Sequence, residues 1–120
     1  MTVKEKRKFK RFNVPGGKVF LFNHFSAKVG WIKDLSEGGV SFEFLYKEGA
    51  VVDPEVIDLF SYEYDRYYLS GLPCRKIFEI DGEERKGGRK TRCCGLAFKT
   101  LNEHQRDQLD LLLNKYLVVN

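Results

Sequence analysis

The chain has 120 residues, 42% of them hydrophobic and 14% aromatic. That is enough to bury the core of one domain of ordinary size, and too apolar for a disordered chain. Lys and Arg outnumber Asp and Glu by 21 to 17, for a net charge of +4, which alone is a weak pointer to an anionic partner. No apolar run approaches the ~20 residues of a membrane span, and no apolar signal core follows the charged N-terminus. A soluble cytoplasmic protein is expected.

Residues 1–12 read as a basic arm. Lys4, Lys6, Arg7, Lys8, Lys10 and Arg11 crowd it, with only Glu5 among them. An anionic partner is therefore expected near this end. Phe9 and Phe12 interrupt the charges and are candidates to pin the arm. Val14-Pro15-Gly16-Gly17 is a turn. Residues 13–120 then read as one domain. Short runs rich in Val, Ile, Phe, Tyr and Trp fall at about 18–24, 26–35, 39–46, 55–62, 66–79 and 90–100. Val40, Phe42 and Phe44 alternate with Ser41 and Glu43, and Leu96 and Phe98 with Ala97 and Lys99. Short strands at this spacing with no helix between them predict a small antiparallel barrel or sandwich. Residues 80–90, with Gly87-Gly88, read as a solvated hairpin tip. Residues 53–68, acidic and aromatic, fit either a regular strand or a special surface. Packing within strands and hairpins accounts for most of Tyr62, Tyr64, Tyr67 and Tyr68.

The chain closes differently. Asn102 and Gln105 stand at capping-box spacing. Leu109, Leu112, Leu113, Tyr116 and Leu117 follow as one helical stripe, with Arg106, Asp107, Asp110 and Asn114 on the other side. A C-terminal helix over about 103–117 is expected. It serves equally well as cover for the β-unit or as contact with a second copy, so monomer and homodimer both fit.

The most informative stretch is "DLSEGGV", residues 34–40. Asp34 and Ser36 share a strand face and Leu35 points the other way, into the core. Trp31 shares Leu35's parity if the strand runs unbroken. Asp34 offers two acceptor oxygens, and Ser36 a donor and an acceptor. Paired N–H donors suit Asp34, and the N1–H and N2–H₂ edge of guanine is one such pair. Gly38-Gly39 turns the chain and allows close approach. A plain Ser or Asx turn explains the same residues without any ligand. Arg7 and Arg11 stand four apart. An arginine fork grips phosphate oxygens or guanine O6 and N7, and its flat face stacks on a base. A solvated basic tail is the plainer reading of the arm.

Arg7-x-x-x-Arg11 followed by Asp34-x-Ser36-x-x-Gly39 resembles the two-part signature of PilZ domains, bacterial receptors for cyclic di-GMP. The resemblance covers almost the whole chain, including Gly95-Leu96-Ala97-Phe98 before the C-terminal helix. It implies a six-stranded barrel with ligand on its outer surface. It implies that Arg7 and Arg11 grip phosphates and guanine faces, that Asp34 and Ser36 bond a guanine, and that Gly39 leaves room and shapes the turn. Lys6, Lys8, Lys10 and Gly38 are possible further contacts. Many members carry arginine where this chain has Lys6. Lysine cannot stack and fork as arginine does, so one ligand and a stacked pair both stay open.

No other constellation competes. His24 and His104 have no paired acid or cysteine at ligand spacing. Ser36 has no base beside it and no GxSxG elbow around it. Cys74, Cys93 and Cys94 have neither a disulfide framework nor metal spacing, and reduced thiols are expected. No enzyme, metal or cofactor is expected, and nucleic acid is not the expected partner. The expected function is a cyclic di-GMP receptor that orders its arm on binding and signals to an unidentified downstream protein. Motility, adhesion and biofilm control are the processes the resemblance implies. The alternatives are a PilZ-like protein adaptor that binds no nucleotide, and a weak RNA or DNA binder using the arm.

Overall fold

The period-two stretches of the sequence form strands in the computed structural model. It describes residues 9–24, 26, 28–46, 53–64, 66–84, 86–116 and 118–119. The strands are β1 (Phe12–Asn13), β2 (Phe20–Asn23), β3 (Lys28–Leu35), β4 (Gly39–Leu45), β5 (Val56–Phe60), β6 (Tyr68–Asp81), β7 (Thr91–Phe98) and β8 (Val118–Val119), with one α-helix among the described residues, α1 (Glu103–Tyr116), before β8. All described pairings are antiparallel. β2, β5, β6, β7, β4 and β3 pair in that order, and β3 returns to pair with β2. The result is the expected closed six-stranded barrel, which leaves its strands no free edge. β1 and β8 lie outside the ring. β1 pairs with the end of β3, and β8 with β1. Two-residue strands carry too little periodicity to read from sequence.

The strands send Leu21, Ile32, Leu35, Val40, Phe42, Ile57, Leu59, Leu72, Cys74, Cys94 and Leu96 into the barrel. Burial pushes the thiol of Cys74 up to about 11 and that of Cys94 up to about 12. Both therefore behave as small apolar core residues at neutral pH.

α1 begins with the expected capping box. The Gln105 N–H donates to Asn102 Oδ1 at 2.8 Å, and the Asn102 N–H donates to Gln105 Oε1 at 3.0 Å. Leu109, Leu112 and Leu113 are buried in the same core cluster as the barrel residues. The apolar stripe is thus used within the chain, as cover for the barrel. The Gln105 side chain donates to Gly71 O at 3.0 Å, and the Tyr67 hydroxyl donates to Gln108 O at 2.7 Å, which ties α1 to the start of β6. Leu117 and the side chain of Tyr116 lie outside the described residues. No helix among the described residues is long and apolar enough to cross a membrane.

Residues 53–68 hold β5, the connection after it and the first residue of β6. Tyr67 is buried, Tyr64 packs partly against the core, and Tyr62 and Tyr68 are exposed. Tyr68 nonetheless stacks on its cross-strand partner Phe60 at 6.4 Å between ring centroids, and Tyr62 meets the same ring edge-on at 5.9 Å, so strand and hairpin packing engages these tyrosines as expected. Glu43 faces outward as alternation predicts, yet it is covered. The Thr91 hydroxyl bonds its carboxylate, and Lys33 Nζ lies 3.4 Å away.

His24 has a paired acid after all. The pairing of β2 with β5 sets its Nε2 2.6 Å from Asp58 Oδ1. The same buried carboxylate accepts the Tyr68 hydroxyl and the Gly71 N–H at 2.9 Å. Gly71 stands at a β6 irregularity with φ 71°, where glycine carries no steric cost. Burial pushes the Asp58 carboxyl up, but the bonds from Tyr68, Gly71 and His24 outweigh it and hold it below its ordinary value. A carboxylate depressed in the folded state adds stability above the unfolded value of about 3.9. That stability is lost as pH falls through the folded value. Asp58→Asn is therefore expected to unfold at lower urea than the parent at pH 7, with the gap closing below about pH 4. A gap that stays constant from pH 7 to pH 3 would show that the donors serve the shape of Asp58 and not its charge.

Candidate functional site

The site begins with a defect in β3. Ile32 pairs with Phe42 and Asp34 with Ser41, so β3 carries one residue more than β4 between those pairs, and Lys33 is the extra one. The bulge reverses the side-chain parity downstream. Ile32 and Leu35, three apart, both enter the core, and Trp31 points outward, half-buried. The expectation that Trp31 shares Leu35's face is corrected here. An unbroken strand would have put Asp34 on the core side with Ile32. The extra residue turns it outward.

Past Leu35 the chain folds into a tight turn built on Ser36. Its N–H donates to Gly39 O at 2.9 Å, and its Oγ accepts the N–H groups of Gly38 at 3.1 Å and Gly39 at 3.2 Å. Ser36 therefore does form the plain Ser turn. Its own proton has only a 3.4 Å contact with Gly39 O, too long for a strong bond, so the hydroxyl keeps a donor to offer outward. Gly39 lies against β7. A Cβ there would stand 2.2 Å from Leu96 O, so the sheet itself requires glycine at this position.

β1 brings the end of the arm to the same place. Phe12 is buried opposite Leu35, Asn13 pairs with Asp34, and the Val14 N–H donates to Lys33 O at 3.0 Å. Arg11 follows from that anchor. Phe9 lies over Gly38, where an added Cβ would meet its ring at 2.4 Å. Both phenylalanines thus pin the arm to the barrel.

A cleft of about 320 Å³ results. Arg11, Asp34, Ser36, Gly38 and Gly39 line it, with Phe9, Ser41, Ile77, Phe78 and Gly95 completing floor and walls. Lys10 is exposed and is not among the lining residues. Arg7, Lys6 and Lys8 lie outside the described residues. Five of the residues singled out in the sequence thus converge, from β3, the following turn, the start of β4 and the arm. Asp34 is half-buried and accepts no hydrogen bond from the described side chains, and Arg11, which lines the same cleft, is exposed. A carboxylate and a guanidinium in one cleft suit a ligand with N–H donors at one place and anionic oxygens at another.

Sequence reasoning missed the far wall. Ile77 and Phe78 belong to β6, and both are exposed. Lys76 pairs with Leu96 and Phe78 with Gly95, so Ile77 is an extra residue and a second bulge. Two adjacent apolar residues in "KIFEI" are the only trace of it in the sequence.

No family profile and no curated protein matches the chain. Solved structures do. The PilZ domain with c-di-GMP of YcgR from Escherichia coli superposes with a TM-score of 0.68 at 11% identity, covering 92% of this chain and 91% of that one. The K. pneumonia MrkH–c-di-GMP complex gives 0.68 at 15% identity, and the aligned part is 92% of this chain but 52% of MrkH. The PilZ domain of CeSA from a cellulose-synthesizing bacterium gives 0.52 at 17%, over 86% of this chain and 93% of that one. The chain has the fold of PilZ domains.

Proposed function

We propose that this chain, a barrel of the PilZ fold, is a cyclic di-GMP receptor that signals to a partner protein and catalyses no reaction. The observation that carries the reading is the convergence of Arg11, Asp34, Ser36, Gly38 and Gly39 on one outer cleft. Two structures of the same fold, YcgR and MrkH, are complexes with c-di-GMP. In this reading Asp34 accepts the N1–H and N2–H₂ edge of a guanine. The Ser36 hydroxyl adds a donor while its lone pairs hold the turn. Arg11, with Arg7, clamps phosphate oxygens through charge-assisted bonds. Lys6 and Lys8 add positive charge from the arm. The arm starts from an anchor on β3, so binding reorganises residues 4–11 across the barrel and changes the surface offered to the partner. Motility, adhesion and biofilm control are the processes in which such a receptor acts, and the cytoplasm is its place.

Calorimetric titration with cyclic di-GMP tests this, with GTP and cyclic di-AMP as controls. Saturable heat with the first ligand alone is expected, and its stoichiometry answers the question of one ligand or two. Arg11→Ala should weaken binding most. Asp34→Ala should cost about 1–3 kcal/mol, because it removes a charge-assisted hydrogen bond and leaves the guanine donors without an acceptor. Affinity unchanged in Arg11→Ala would place the ligand elsewhere. No heat from the parent chain would leave the adaptor reading in its place.

A further inference from the structure

Away from the cleft, the barrel carries a second organised surface. Tyr68 pairs with Phe60, Phe60 with Phe20, and Phe20 with Trp31. Directly paired residues share a face, so these aromatic residues form one outward row over β6, β5, β2 and β3. The cleft spans β3, β4, β7 and β6, so the row takes the other side of the barrel. Tyr62, beside the row, and Tyr68 keep most of their surface in water, at 79% and 60% exposed. An apolar patch left in water in this way marks an interaction surface.

The rings stand upright. Phe20 and Phe60 stack with centroids 5.5 Å apart and planes 24° from parallel, and Tyr68 stacks on the other side of Phe60. Rings that face their neighbours across the strands turn their edges to solvent, and the edge is the electropositive part of the ring. Phe60 has given both faces to its neighbours, so a nucleic-acid base has no face of it to lie on. Two grooves flank this ridge. The first, of about 540 Å³, is lined by Phe22, Phe60, Tyr62, Tyr68 and Arg66. The second, of about 830 Å³, is lined by Gly17, Phe20, Trp31, Leu45 and Arg89. Both arginines are exposed, and neither forms an ion pair with a described residue. The nearby carboxylates are taken, Asp58 by His24 and Tyr68, and Glu63 by Lys18. Arg66 also has a positive φ of 52°, a conformation that asparagine holds at lower cost. Strain of this kind collects where the place of a side chain matters to function.

We infer that this row docks an acidic segment of a partner protein, with apolar side chains in the two grooves and carboxylates on Arg66 and Arg89. The positive ring edges and both arginines favour the same sign of partner. The row covers three strand spacings, roughly 14 Å at about 4.8 Å each, which an extended segment of about five residues crosses. A second copy of this chain fits poorly. In a two-fold dimer packed row to row, each arginine end meets an arginine end of the other copy, because both ends carry one. From the receptor reading this surface takes only the expectation of a partner protein, and nucleotide plays no part in it.

The test is selection from a phage-displayed library of random linear peptides on the immobilised chain, then fluorescence anisotropy with the enriched peptides made singly. Enriched peptides should carry Asp or Glu on both sides of an apolar run, and added salt should weaken them. Tyr62→Ala and Arg66→Asn should each weaken them about tenfold or more. Arg66→Asn should melt at or above the parent's temperature, since asparagine suits that backbone; a purely structural arginine would lower it. Arg106→Gln, at an exposed position of α1 outside both grooves, should change nothing. Peptides with no acidic preference, or acidic ones that bind Tyr62→Ala and Arg66→Asn as they bind the parent, overturn the assignment. So does a library with no binder above a Tyr62→Ala counter-selection. A dimer in sedimentation that Tyr62→Ala disperses would give the surface to a second copy. Oligothymidylate binding that Tyr62→Ala abolishes would give it to nucleic acid. Either result overturns the acidic partner. A chain that selects acidic peptides but gives no heat with cyclic di-GMP keeps this surface and loses the receptor reading; the reverse result keeps the receptor and loses the surface.

Discussion

Gly39→Ala is expected to lower the melting temperature by about 10 °C, from a loss of ~3 kcal/mol in a chain of this size. The new Cβ would stand 2.2 Å from Leu96 O, with Leu96 C and Ala97 Cα at 3.3 and 3.4 Å. All three are backbone atoms, so no rotamer change relieves the contact. Relief requires β4 and β7 to part at the end where Gly39 pairs with Ala97 and the Phe98 N–H donates to Gly38 O at 2.9 Å. The same strands carry Ser41 and Gly95, the floor of the cleft. Stability and ligand binding should therefore fall together. Gly38→Ala is the matched control. Its Cβ would meet only the Phe9 ring, a side chain that can swing away, so its melting temperature should stay near the parent's. A Gly39→Ala protein that melts within about 2 °C of the parent would show that the strands yield at little cost.

Leu112→Ala should cost about 2–5 kcal/mol, the range for a leucine deleted from a core that relaxes only in part. Leu112 is fully buried, with Leu109 and Leu113 beside it in the barrel's core cluster. The midpoint of urea unfolding should fall at an unchanged slope, since the surface exposed on unfolding hardly changes. Leu111, on the same helix but exposed, should tolerate alanine within about 0.5 kcal/mol. A small effect of Leu112→Ala would mean that the barrel closes without α1 and that the helix is free for another partner.

The two halves of the site differ in how far they can be read from sequence. Asp34, Ser36, Gly38 and Gly39 are local. They stand within six residues, and the turn they form is held by Ser36 itself. Arg11 joins them through Phe12, whose apolar side chain in a charged arm marks an anchor. Ile77 and Phe78 come from far along the chain, and their place depends on two strand registers in series. His24 is a parallel case. Its partner Asp58 lies 34 residues on, brought near by the pairing of β2 with β5. Local spacing carries no information about either.

Barrel and helix follow from the chain's own patterns. Alternation with period two sets which strands exist, and a capping box with a leucine stripe sets the helix, because both depend on neighbours a few residues apart. The placing of Asp34 and the far aromatic wall on one cleft was decided only in the folded molecule. The extra residues Lys33 in β3 and Ile77 in β6 reverse the faces of the strand residues after them. A bulge is defined by the strand it fails to match, and that strand is chosen by the barrel as a whole.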